Sequence, residues 1–151
     1  MPAHYDLTLA ASEGGYQNGV YKTVGFIQYS LSDASLLSFD PVTHKLKALK
    51  SGIITFEFNI WWIIGAINCS NAVYVAKFKR TGGADIKAFT GVPDASAPGK
   101  AWTTGACSTI CAQNEEFWLD LNGDTTPGST LTIDGNPAHT WWSGLFFPDA
   151  G

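Results

Sequence analysis

Residues 39 to 58, FDPVTHKLKALKSGIITFEF, constrain the fold more than any other stretch of the chain. Asp40-Pro41-Val42-Thr43-His44 reads as a turn, because Pro41 presets φ and the Asp40 carboxylate reaches backbone N–H groups just downstream. Lys45-Leu46-Lys47-Ala48-Leu49 alternates roughly, with Leu46 on one face and Lys45, Lys47 and Leu49 on the other. Ser51-Gly52 breaks the run. Ile54, Phe56 and Phe58 then share one face, opposite Thr55 and Glu57, as in a half-buried strand. Turn, strand, glycine turn and aromatic strand together predict a β-hairpin.

Further short apolar runs follow the same logic: Thr23 to Ser30, Leu36 to Phe39, Ala72 to Phe78, Ile86 to Phe89, Ala106 to Ala112, Leu131 to Ile133 and Thr140 to Phe147. In EEFWLDL, Phe117, Leu119 and Leu121 lie on one side. Asn122-Gly123-Asp124 and Asp134-Gly135 are tight-turn signals. Gly91 to Gly105, with Pro93 and Pro98, reads as a long loop. No segment sustains a helical repeat beside helix caps. The expectation is an all-β domain of eight to ten antiparallel strands, a sandwich or jelly roll, with a closed barrel as the alternative. Residues 1–22 are polar and glycine-rich and read as a flexible arm. In it Tyr5, Leu7 and Leu9 alternate, so a strand forms there against a partner. The domain proper is then 23–151.

Composition narrows the function. A chain of 151 residues is one domain and buries roughly two-thirds of its unfolded surface. Only 15% of residues are charged and 13% are aromatic, which points to part of the outside being covered in an oligomer. The net charge is −4, and the one basic run, Lys77-Phe78-Lys79-Arg80, is too short for a nucleic-acid footprint. The apolar window Ile60 to Ile67 is far below the roughly 20 residues of a spanning helix. Neither a nucleic acid nor a membrane is therefore an expected partner. Cys69, Cys107 and Cys111 lack zinc-knuckle spacing and read as free thiols of a protein folded in a reducing cytosol, with a local Cys107–Cys111 disulfide open under oxidising conditions. Met1 to Asp6 lacks the basic and apolar segments of a signal peptide.

Nothing reads as catalytic. His4, His44 and His139 are scattered, and Ser143 lacks the preceding glycine of a nucleophile elbow. Glu115 and Glu116 are adjacent and point apart on a strand, while Asp120 and Asp124 read as solvated turn carboxylates. No enzyme activity, metal site or cofactor is expected.

Three blocks, in order, carry a family resemblance. FDPVT through GIITF is similar to an aromatic-Asp-Pro-x-Thr-Gly turn leading to a Gly-x-Tyr-x-Phe strand. AVYVAKFKRTG and LDLNGD are similar to a Val-Ala-x-x-Lys-Asn-Gly strand and a Leu-x-Leu…Gly-Asp turn. WSGLFFPD is similar to a closing Phe-Ser-Gly-Phe-Leu-Leu run followed by Pro-Asp. From about Thr23 to Asp149 the chain thus resembles the globular head of complement component one-q and its tumour-necrosis-factor-like relatives. It departs at His44 (Gly in the family), Leu46 (Phe), Ser51 (Pro) and Ile54 (Tyr), and the Gly-Asp block is one residue short.

The resemblance implies a ten-stranded jelly roll assembled as a homotrimer, with Phe56, Phe58, Phe117 and Leu119 as trimer contacts. The family's metal sites match no residues here. Jelly-roll trimers of this kind also serve as virion proteins, and the expected role is a non-enzymatic, homotrimeric capsid decoration or cement protein of a bacteriophage, made in the host cytoplasm. Its arm would dock on a capsid protein through Tyr5, Leu7, Leu9 and Tyr16. The alternatives are a receptor- or glycan-binding knob of a fibre or spike, and a secreted complement-head-like binding module.

Overall fold

The computed structural model describes residues 2–17, 19–63, 74–93, 100–123 and 131–150. Among these, thirteen segments are strands and none is helical: β1 (Ala3–Thr8), β2 (Glu13–Tyr16), β3 (Lys22–Thr23), β4 (Gln28–Leu31), β5 (Leu37–Asp40), β6 (Lys45–Ala48), β7 (Gly52–Ile63), β8 (Tyr74–Arg80), β9 (Asp85–Pro93), β10 (Lys100–Cys111), β11 (Glu116–Gly123), β12 (Leu131–Ile133) and β13 (Trp141–Pro148). The main path runs β4-β1-β13-β7-β10-β9-β8-β11-β6-β5. It folds over where β9 pairs with both β10 and β8, giving two antiparallel sheets. The first sheet is β4-β1-β13-β7-β10, and the second is β9-β8-β11-β6-β5. The short pieces β2, β3 and β12 account for the count above ten.

The inward faces follow the alternation of the sequence. Along β7, Ile54, Phe56, Phe58, Ile60 and Trp62 are fully buried, and along β11 so are Phe117 and Leu121, with Leu119 close behind. Between the sheets, the Phe56 ring lies 4.7 Å from Phe78 and 5.3 Å from Phe117, and Phe78 lies 5.3 Å from Trp142. Such pairs add to area burial through their ring quadrupoles. Several buried polar ends are paired. The Trp142 indole donates to the Tyr5 oxygen at 3.0 Å, and the Tyr5 hydroxyl donates to the Thr55 carbonyl at 2.6 Å. The Trp62 indole donates to Thr103 Oγ1 at 3.0 Å, and that hydroxyl donates to the Tyr74 carbonyl at 2.9 Å.

The hairpin expected over 39–58 is divided. The Pro41 turn closes a β5–β6 hairpin in which Asp40 faces Lys45. Strand β6 stays in the second sheet, whereas β7 belongs to the first, so Ser51-Gly52 is a crossover between sheets. Gly52 is required there because a Cβ would stand 2.2 Å from the Phe147 carbonyl oxygen. His44 occupies the left-handed region at φ 61°, a conformation that suits the glycine of the family pattern. It is held by its own N–H on the Asp40 carbonyl at 2.7 Å, and its ring donates from Nδ1 to the Phe26 carbonyl at 2.7 Å.

Other expectations are corrected. The Thr23–Ser30 run is not one strand: β3 joins β11 in the second sheet and β4 joins β1 in the first. Gly91 to Gly105 is not one loop, because β9 and β10 take up both ends, and residues 94–99 lie outside the described residues. Residues 1–22 are not a free arm: β1 is hydrogen-bonded on both sides, to β13 and to β4. Cys107 and Cys111 lie four residues apart on one extended strand, about 13 Å at strand rise, too far for a disulfide. Both are free thiols. Burial pushes the Cys107 thiol up and the Cys111 thiol up to about 11. Cys69 and Asp124 lie outside the described residues.

Candidate assembly face

The outward face of the first sheet is built by the residues that alternate with its core side chains. Opposed residues in an antiparallel ladder project from the same face, so the register defines rows across the sheet. The lowest row is Phe147, Ile53 and Ile110. Above it come His4, Leu145, Thr55 and Ser108, then Asp6, Ser143, Glu57 and Ala106. Thr8, Trp141, Asn59 and Thr104 follow, and above them Trp61 and Trp102. Ile63 and Lys100 complete the face.

The two ends are apolar. Ile110 is 76% exposed, and Ile53, Leu145, Phe147 and Ile63 are each more than a third exposed. The contiguous row of Ile53, Ile110 and Phe147 at one end marks a contact surface more than a solvated one. At the upper end the Trp61 and Trp102 rings stack at 4.3 Å, and Lys100 Nζ stands 4.3 Å from the Trp61 ring centre. The His139 ring packs edge-on against Trp61 and its Nδ1 lies 2.9 Å from Asp134 Oδ2. Burial works against ionisation of Asp134, but the Asn136 amide, the His139 ring and the Lys100 charge hold its carboxyl below the ordinary value.

The middle of the face is polar and irregular. Strand β13 loosens at Gly144-Leu145, where the Leu145 N–H donates to Thr55 Oγ1 at 2.8 Å. This leaves a hollow of about 230 Å³ between His4, Asp6, Thr55, Glu57 and Ser143. At the foot of the second sheet, Arg80 donates to both oxygens of Glu115, at 2.7 and 2.8 Å, and to the Ile110 carbonyl at 2.9 Å. That fork pins the end of β10, and with it Ile110, to β8. Arg80 in turn holds the Glu115 carboxyl below its usual range.

The residues expected at the trimer contact lie elsewhere. Phe56, Phe58 and Phe117 have no accessible surface in the single chain and Leu119 only 1%, so they form the core and have nothing left to bury against a second copy. Tyr5, Leu7 and Tyr16 are fully buried and Leu9 nearly so, which removes them as a docking arm. Tyr16 instead donates its hydroxyl to Glu13. The exposed row of Ile53, Ile110 and Phe147 was legible only in part. Ile53 and Phe147 are odd-numbered neighbours of the core positions Ile54 and Phe146, but Ile110 sits on a strand whose first half reads as loop. Among the described residues no group of three or more His, Cys, Asp or Glu side chains is placed to hold a metal ion.

No protein-family model matches the sequence, and no curated protein matches it. Solved structures do match. Murine APRIL, crystallised at pH 8.0, superposes with a TM-score of 0.66 at 9% identity, over 97% of this chain and 100% of that one. Eiger TNF from S. frugiperda gives 0.65 at 8% identity, over 100% and 94%. The globular domain of zebrafish complement 1qA protein gives 0.61 at 14% identity, over 99% and 98%. The fold is thus the jelly roll shared by tumour-necrosis-factor-like and complement one-q globular domains.

Proposed function

We propose that the chain is a non-enzymatic homotrimeric module, used as a decoration or cement protein on a virion shell. The observation that supports the trimer is the exposed apolar row of Ile53, Ile110 and Phe147 on the outward face of the first sheet, with Ile110 three-quarters exposed on a strand pinned by Arg80. An exposed apolar row of this kind is stabilised in water when a second copy covers it. The jelly roll itself is compatible with many functions, so the shell role rests on the sequence resemblance and on the free thiols Cys107 and Cys111, which suit folding in a reducing host cytosol. Because Tyr5, Leu7, Leu9 and Tyr16 are used in the core, contact with a capsid protein falls to surface residues.

Multi-angle light scattering at micromolar concentration tests the assembly: three times the 16.2 kDa chain mass is expected, and a monomer mass overturns the trimer. Cryo-electron microscopy of particles tests the role, with density expected over the shell. Density confined to a vertex or fibre tip would favour a receptor- or glycan-binding knob, a reading that the Trp61–Trp102 stack at one end of the face supports.

A further inference from the structure

The waist of the outward face carries two carboxylates, Asp6 and Glu57, with His4 and no lysine or arginine among its described residues. Asp6 and Glu57 stand in one row, separated by Ser143, with Ala106 beyond Glu57. Two strand spacings put their backbones about 10 Å apart. In the next row His4 sits beside Leu145, and its Nε2 is 3.2 Å from Asp6 Oδ2. The neighbouring strands add no opposing charge at this level: β4 contributes Ser30 and Gln28, β10 contributes Ala106 and Ser108, and β13 contributes Ser143. The cation of this face among the described residues, Lys100, lies in the Ile63 row and is placed over Trp61. Asp134 and His139 lie at that same upper end and bond each other. Lys50 and Asp149 lie below the Ile53 row, at the opposite end, beside a separate hollow with Ser51.

In the single chain these groups face water. Covering the face with a second copy strips that water from two carboxylates per chain and brings like charges toward one another, with no lysine or arginine of the waist to meet them. Both effects vanish when the carboxylates take up protons, and a protonated His4 neutralises Asp6 from 3.2 Å. We infer that assembly across this face is proton-linked, the Asp6–His4–Glu57 waist making the trimer tighten as the medium turns mildly acidic. The inference rests on the trimer reading and adds its regulation. The sign follows from linkage: the assembled state binds more protons than the separate chains, so acid favours it, and uptake of one proton per trimer changes the dissociation constant tenfold per pH unit.

Sedimentation velocity over a concentration series at pH 7.5, 6.5 and 5.5, at fixed ionic strength, tests this on the wild type, Glu57→Gln and Asp6→Asn/Glu57→Gln. The wild-type dissociation constant is expected to fall by about tenfold or more per pH unit. Glu57→Gln is expected to assemble more tightly than wild type at pH 7.5 and the double variant to lose most of the slope. A trimer equally tight at all three pH values, or one whose slope survives in the double variant, overturns the proton linkage and leaves the trimer standing. A chain monomeric in every condition and variant overturns both.

Discussion

Gly144 lies where the β13 backbone passes against Thr55 of β7, and its missing side chain is what allows the approach. A Cβ there would stand 2.0 Å from the Thr55 carbonyl oxygen and 2.7 Å from the Tyr5 hydroxyl, the two ends of the buried Tyr5–Thr55 bond. Gly144→Ala is expected to destabilise the protein by about 3 kcal/mol, read as a lowered urea midpoint with an unchanged slope. The glycine of Trp-Ser-Gly is thus a packing requirement, and Ser143 is an outward residue of the assembly face. Phe117→Asp is expected to unfold the single chain, because an unpaired charge at a fully buried position costs several kcal/mol. Loss of the far-ultraviolet strand signal, and not mere dissociation, is the diagnostic result. The Arg80–Glu115 fork adds a pH-dependent term. The Glu115 carboxyl is depressed in the folded chain, so its contribution is present above the ordinary glutamate value of about 4.3 and is lost as pH falls through the folded value. Between pH 6 and pH 3 the wild type is expected to lose about 1–2 kcal/mol more than Glu115→Gln in chemical denaturation.

At the scale of elements, β1 is the strand whose role differs most from its sequence. Its large inward residues Tyr5 and Leu7, and Leu9 just past its end, are each worth about 2 kcal/mol in the core, and its removal would leave β13 with an open edge. Deleting residues 1–9 is therefore expected to give insoluble protein, and a soluble, trimeric truncation would contradict the position of β1. The alternation Tyr5, Leu7, Leu9 was visible, but a lone strand among glycines carries no sign of the partner that buries it. Where one face is plainly apolar, as with Phe117, Leu119 and Leu121 in β11, period-two reading located the core directly. Strand β7 shows why the assembly face was harder. It carries apolar residues on both sides, Ile54, Phe56 and Phe58 inward and Ile53, Trp61 and Ile63 at the two ends of the outward side, and an intrachain core cannot be told from an interchain one by pattern alone. The Ser51-Gly52 crossover misled for a related reason: a turn signal does not state whether the chain returns to the same sheet.

For the whole molecule, the separation of two apolar layers has a direct test. Ile110 belongs to the outer layer, so Ile110→Glu is expected to yield a monomer by light scattering while the thermal midpoint of the dissociated chain stays within about 2 °C of a wild-type sample diluted to monomer. A trimer that persists in Ile110→Glu would move the contact off this face. The inner layer has a different consequence, one of timing. Ala3 faces Phe146 and Thr8 faces Trp141, so the opening strand is seated beside the closing one. During synthesis Tyr5 and Leu7 leave the ribosome ahead of the rest of the domain and wait until β13 follows to shelter them. The domain cannot be completed piecemeal from its N-terminal end, and its last step waits for the synthesis of β13. A ribosome that stalls before Trp141 would therefore leave a sticky, half-closed sandwich exposed to the cell.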